Sequence, residues 1–338
     1  PLAGFEVAVK LMVALGPLTL PVAVFAVLRG AGFSRWQSVG GTVAGAAFLF
    51  MTSFDILGGN LLSTYIGEFA YSISFSLALF YLAVVLRAGR TRRAAPLAAA
   101  ALLALTALSH VLTTAFVVAI TLPLLVDERY SRTIFMSWVV GFLLAGVWAF
   151  PFLARFEFMA GSIWVHARSV NELLPLELLP ILPFAAFTFW WARRNLRGTV
   201  FPLFLAPALA IGVYLLPQEF FHGARLLPFG FLVIHMFAGV AVGTAVQQAV
   251  ASKARQPLVL ATVGVWVIGA LFFVRDLDHV HQRVRAANAG VEQADHWDRY
   301  DEIVQAVAAL PPGRVFWEES QGTIDHGTGM AFNVLPYW

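Results

Sequence analysis

Residues 96–126, PLAAAALLALTALSHVLTTAFVVAITLPLLV, decide the fold. The run is too long for one ordinary membrane crossing of about 20 residues and short for two. Charge separates the two readings, because cytoplasmic loops collect Lys and Arg. If the run is a tight hairpin of two short helices turning near Ser109 and His110, the chain crosses ten times. Its loops on one side then hold 13 of the 22 basic residues and only two acids, Asp127 and Glu128. If the run is a single crossing, every later loop flips. Arg193, Arg194, Arg197, Lys253 and Arg255 then face away from Arg87, Arg90, Arg92 and Arg93. The hairpin keeps this charge on one side and is the reading we adopt.

The other apolar runs lie near 7–29, 38–54, 70–87, 133–154, 174–192, 199–216, 226–249 and 257–274. The chain is 59% hydrophobic and 12% charged, with a mean hydropathy of +0.78. A soluble domain has roughly a quarter of its residues charged. We therefore expect an all-α polytopic membrane protein of about ten spans. The net charge of +3 is too balanced for a nucleic-acid partner, and the absence of Cys excludes disulfides, thiolate metal sites and cysteine nucleophiles. The Ala, Val and Arg bias suits a GC-rich bacterial genome, which points to a bacterial cytoplasmic membrane.

The chain opens at Pro1 with no signal-peptide layout and reads as a piece of something longer, with N-terminal spans missing. Residues 1–275 form the expected transmembrane domain. Residues 276–338 form an expected extracytoplasmic segment of mixed α/β character. Within it Tyr300, Ile303, Val304, Val307 and Leu310 keep a helical spacing, Pro311-Pro312-Gly313 breaks it, and Arg314 to Trp317 reads as a strand.

The ten-span topology opens four connectors on the extracytoplasmic side: 55–69, the turn near 110, 155–172 and 217–225. In the first, Asp55 and Glu68 bracket Gly58, Gly59 and Gly67, which permit tight turns. Asn60, Ser63, Thr64 and Tyr65 supply donors and acceptors suited to sugar hydroxyls or phosphate oxygens. Glu68 at a helix start equally suits the helix dipole. His110, inside a hydrophobic run, needs a polar partner or water: it could serve as a proton acceptor or contact a ligand hydroxyl, or it could bond a neighbouring backbone carbonyl in a kinked helix. The last connector carries Glu219, His222 and Arg225. An Arg there can snorkel to lipid headgroups or clamp a phosphate with its fork of donors. In 155–168, Trp164 and Phe158 could stack on a sugar beside Glu157 or His166, but an aromatic belt is the simpler use. His279, His281 and His296 do not make a zinc site, because i and i+2 on a helix face different ways. No phosphate-cradling Gly-Lys-Ser/Thr loop, nucleophile elbow or His-Glu-x-x-His occurs.

The stretches GGNLLSTYIGEFAYSIS (58–74), LTALSH (105–110) and ARLLPF (224–229) resemble the bacterial membrane family labelled 6-pyruvoyl-tetrahydropterin synthase-related. GRVFWEE (313–319) and VLPYW (334–338) suit the segment that follows the spans in such proteins. That family is similar in layout to the GT-C glycosyltransferases, which use polyprenyl-phosphate sugars. The resemblance implies a GT-C-like helical bundle that transfers a sugar from a polyprenyl-phosphate donor to an envelope glycan or glycoconjugate. Membrane lipids are the other partners, and a divalent metal is compatible but not required. Glu68, His110, Arg225, Asp55, Tyr65 and His222 are the expected substrate-binding residues. The resemblance also implies an acidic base in a loop upstream of residue 1, so none is assigned here. Pterin chemistry finds no support, for want of a zinc trio. Rival readings are a transporter or flippase of lipid-linked sugars, and a non-catalytic envelope-assembly protein.

Overall fold

The structure is a computed structural model that describes residues 4–54, 56–155, 170–216 and 223–252, with 257, 261, 264, 282, 302 and 305–311 beyond them. The chain divides into two compact units, Pro1–Leu277 and Asp278–Trp338. In the second, residues 305–308 are helical.

The first unit is a helical bundle. Helix α1 (Phe5–Ala31) stops at Gly32, whose φ of 104° is the left-handed stop that a glycine accepts without strain. Helix α2 (Arg35–Phe48) starts on a reciprocal cap. Gln37 N donates to the Ser34 hydroxyl at 3.3 Å, and Ser34 N donates to Gln37 Oε1 at 2.9 Å. A short helix α3 (Leu61–Ser63) and a π turn (Thr64–Glu68) lead into α4 (Phe69–Thr91). Then come α5 (Pro96–Ser109), α6 (Val111–Thr121) and α7 (Glu128–Leu153). After α8 (Val170–Leu173) follow α9 (Leu182–Asn195), α10 (Phe201–Tyr214) and α11 (Leu227–Ala251).

Small residues set the closest contacts. Gly16 lies against Ser72 and Gly30 against Ala83, so α1 and α4 run parallel. Helices α2 and α11 run antiparallel, with Gly40 against the backbone of Gly239 and Gly243 against Trp36. A Cβ on Gly40 or Gly239 would collide with the carbonyl of the other. Such small-residue seams are how helices pack where lipid removes the hydrophobic drive between them. Hydroxyls clip the seams together: Ser76 Oγ donates to Gly16 O at 3.0 Å, and Ser74 Oγ to Thr106 O at 3.0 Å.

The run 96–126 folds back on itself. Ala95 N donates to Thr133 Oγ1 at 3.4 Å, and Gly141 packs on Ala100 and Leu103. Thus α5 and α7 start at the same end of the bundle and run parallel. The chain between them must go out and return, and it reverses at His110, whose φ and ψ of −160° and 122° separate α5 from α6.

Four segments are long and apolar enough to cross a membrane: Val7–Ala31, Leu61–Thr91, Glu128–Leu153 and Gly223–Ala251. Their outward faces carry exposed apolar side chains, including Leu11, Leu15 and Leu18 on α1 and Phe135, Phe142 and Val147 on α7. The described residues are those of an all-α membrane protein. Of the ten spans expected, these four are long and apolar enough among the described residues, and the one expected near 257–274 lies largely outside them. Helices α2, α5, α9 and α10 have 14 residues each and α6 has 11. At ~1.5 Å per residue they reach roughly 17–21 Å, short of a hydrocarbon core of about 30 Å. No strand occurs among the described residues, and the one expected in the tail at 314–317 lies outside them.

Candidate ligand-binding site

The connector that follows α2 is held by one side chain. Asn60 is fully buried, and its amide donates to Met51 O at 2.8 Å and to Phe54 O at 2.9 Å. Its carbonyl oxygen caps α3 by accepting from Ser63 N at 2.9 Å. Gly58 and Gly59 take φ of 97° and 87°, a region closed to most side chains, and Gly58 lies flat on the Tyr71 ring. At the other end of this connector Gly67 has φ 138° inside the π turn. The extra residue of that turn re-aims Glu68 across the bundle.

Glu68 meets Arg225. The guanidinium donates through Nη2 to Oε1 at 2.6 Å and through Nη1 to Oε2 at 3.3 Å. The two side chains are only 22% and 20% exposed, so the pair is mostly withdrawn from water. Arg225 sits in a 3-10 turn (Gly223–Leu226) whose backbone is pinned by Tyr71, as the phenol donates to Arg225 O at 2.6 Å. His110 packs edge-on against Tyr71, with ring centroids 4.9 Å apart. Below them Phe229 stacks on Phe116 at 4.3 Å and meets Phe75 edge-on at 4.3 Å. An aromatic floor thus closes the polar end from the interior.

His110 is the cap of α6. Its Nδ1 accepts from Thr113 N at 3.4 Å and lies 3.0 Å from the Thr113 hydroxyl. The residue lies at the reversal between α5 and α6, outside the long spans. Burial, reinforced by the positive charge of Arg225, lowers its pKa to about 4. An imidazole held neutral in this way suits a hydrogen-bonding cap more than a proton carrier near neutral pH.

A cavity of about 240 Å³ opens beside this constellation, among Ser53, Leu57, Glu172, Tyr214, Ala224 and Leu227. Across it Tyr214 OH donates to Glu172 Oε2 at 2.9 Å. Nearby Thr52 Oγ1 donates to Glu177 Oε1 at 3.2 Å. The cavity shares the Gly223–Leu226 turn with the ion pair, because Ala224 lines it directly next to Arg225.

Of the expected site residues, Glu68, His110 and Arg225 are brought together, from three separate connectors. Tyr65 is 44% exposed on the π turn. Asp55 and His222 lie outside the described residues, as do Glu157, Phe158, Trp164, His166, Glu219 and the three tail histidines. Sequence reasoning missed Glu172, Glu177 and Tyr214. Their signal was an ionisable or phenolic group at the edge of an apolar run, a pattern shared with ordinary interfacial residues. Among the described residues no group of three His, Asp or Glu could hold a metal. No family model matches the chain, and neither a curated protein nor a solved structure matches it at a significant level.

Proposed function

We propose that this chain is the membrane domain of a glycosyltransferase that takes its sugar from a polyprenyl-phosphate donor, in the manner of a GT-C-like bundle. The observation that carries the reading is the Glu68–Arg225 pair, withdrawn from water at one end of two long apolar helices beside a polar-rimmed cavity. A lipid-linked phosphate presents its charge at this depth while its tail stays in the bilayer. Arg recognises such a group with paired donors, where Lys is only a point charge.

In the proposed reaction an acceptor hydroxyl forms a bond to the anomeric carbon as the bond from that carbon to the phosphate oxygen breaks. The electron pair leaves with the phosphate. Arg225 meets the charge that develops there, and Glu68 positions the guanidinium while the site is empty. Glu172 and Tyr214 line the space for the sugar or the acceptor. The acceptor's proton goes to a base that is not assigned to any residue of this chain.

The supporting experiment is transfer of labelled sugar from a polyprenyl-phosphate donor by membranes that contain the intact protein. Arg225→Ala is expected to lower transfer by roughly 10- to 100-fold, the range for one lost charge-assisted hydrogen bond. Unchanged transfer would remove Arg225 from the reaction.

A further inference from the structure

The opposite end of α4 carries a second cavity, of about 610 Å³, in the groove between α1, α4 and α5. Glu68 precedes α4, and Arg90 lies 22 positions further on, near its end. At ~1.5 Å per residue that is about 33 Å along the helix, the thickness of a hydrocarbon core. No charged side chain stands on α4 between Phe69 and Leu86. The groove therefore lies near the level where a bilayer's second face would fall.

Its two parts differ in chemistry. The floor is apolar, formed by Phe25, Ala26, Phe80 and Val84, with Leu102 on the far wall. Arg29 from α1 and Arg87 and Arg90 from α4 stand at the rim. Gly30 lets α1 lie against the Ala83 backbone, which brings the three cations to one place. The Arg29 guanidinium is steadied by donating to Phe33 O. Among the described residues no carboxylate lines the groove and none forms an ion pair with these arginines. Three like charges gathered beside an oily trough call for an anion that brings its own hydrocarbon.

We propose that this groove binds an anionic phospholipid, with the phosphate among Arg29, Arg87 and Arg90 and one acyl chain along the Phe25–Phe80–Val84 floor. A soluble phosphate would satisfy the rim and leave the floor wet. A zwitterionic lipid would fill the floor and bring a fourth positive charge to a rim that has three. The site is separate from the Glu68–Arg225 end and does not depend on the activity proposed for it.

The test is lipid retention by the purified full chain, read by native mass spectrometry after exchange into mixed phosphatidylglycerol and phosphatidylcholine. Phosphatidylglycerol is expected to be retained selectively. Arg87→Gln with Arg90→Gln should weaken that retention by about thirtyfold, the effect of two interfacial arginines. The same change at Arg35 and Arg132, outside the groove, should leave it intact. Val84→Phe, which fills the floor and keeps every charge, should also weaken it, so the proposal remains testable if the arginine variant fails to fold. Equal retention of both lipids, full displacement by inorganic phosphate, or equal loss in the Arg35 and Arg132 variant would each overturn the assignment.

Discussion

Arg225 donates to both carboxylate oxygens of Glu68, at 2.6 and 3.3 Å, across a sequence separation of 157 residues. The contact joins the entry to α4 with the entry to α11, two of the four segments long and apolar enough to cross a membrane. Each partner needs the other. Either charge left alone at this depth loses water without gaining a counter-ion.

Removing one partner should therefore harm the fold more than removing both. Glu68→Gln or Arg225→Met alone is expected to destabilise by about 1–3 kcal/mol, and the double variant by less than either one alone. Thermal unfolding of the four proteins in one detergent checks this. Strict additivity would show that the pair carries no coupling.

The glycine seam between α2 and α11 makes a sharper prediction. Gly40→Val forces a side chain into the Gly239 carbonyl and should cost more than about 3 kcal/mol. Gly212→Ala on α10 meets nothing within 4 Å and should stabilise by roughly 0.5–1 kcal/mol, because alanine loses less freedom in a helix. Melting temperatures of the two variants should move in opposite directions.

Asn60 tests how the first connector is held. Asn60→Ala strips donors from two backbone carbonyls and the cap from α3. We expect a loss of about 2–4 kcal/mol, and limited proteolysis concentrated between 50 and 60. Asn60→Asp, which keeps the cap but not the amide donors, should be nearly as damaging.

His110 gives the pH prediction. Its native pKa is lowered to about 4 by burial and by Arg225, against about 6.5 in an unfolded chain. The unfolded state therefore binds the proton first as pH falls. The stability that the neutral ring supports is complete above about pH 6.5 and is lost on the way down to pH 4. The unfolding temperature of the wild type should fall more steeply over that window than that of His110→Gln, and the two should run parallel above pH 7.

The reversal within 96–126 was legible because it followed from where the arginines had to be. The number of crossings was not. Apolar runs near 38–54 and 174–192 look like spans by composition, yet α2 and α9 have only 14 residues each: a loop held by Asn60 follows α2, and a separate 3-10 turn (Leu176–Leu178) takes up residues ahead of α9. The grouping of Glu68 with Arg225 was expected as a shared pocket. The structure turns the carboxylate onto the guanidinium, an orientation set by the π turn at Gly67, which no spacing rule announces. His110 was expected to bond a backbone carbonyl or a ligand hydroxyl; its ring instead accepts from the Thr113 backbone N–H as the cap of α6. The Gly239-x-x-x-Gly243 seam stood in the sequence and went unread, since its partner on α2 is recognisable only once the helices are paired.

In the proposed function Arg225 receives a lipid-linked phosphate while Glu68 only holds it ready. Binding of a polyprenyl phosphate to the intact protein, compared between Glu68→Gln and Arg225→Ala, separates those roles. We expect Arg225→Ala to weaken binding by roughly 10- to 100-fold and Glu68→Gln to preserve or tighten it, because the competing carboxylate is gone. Equal weakening in both variants, with both still folded, would show a structural strut in place of a phosphate site.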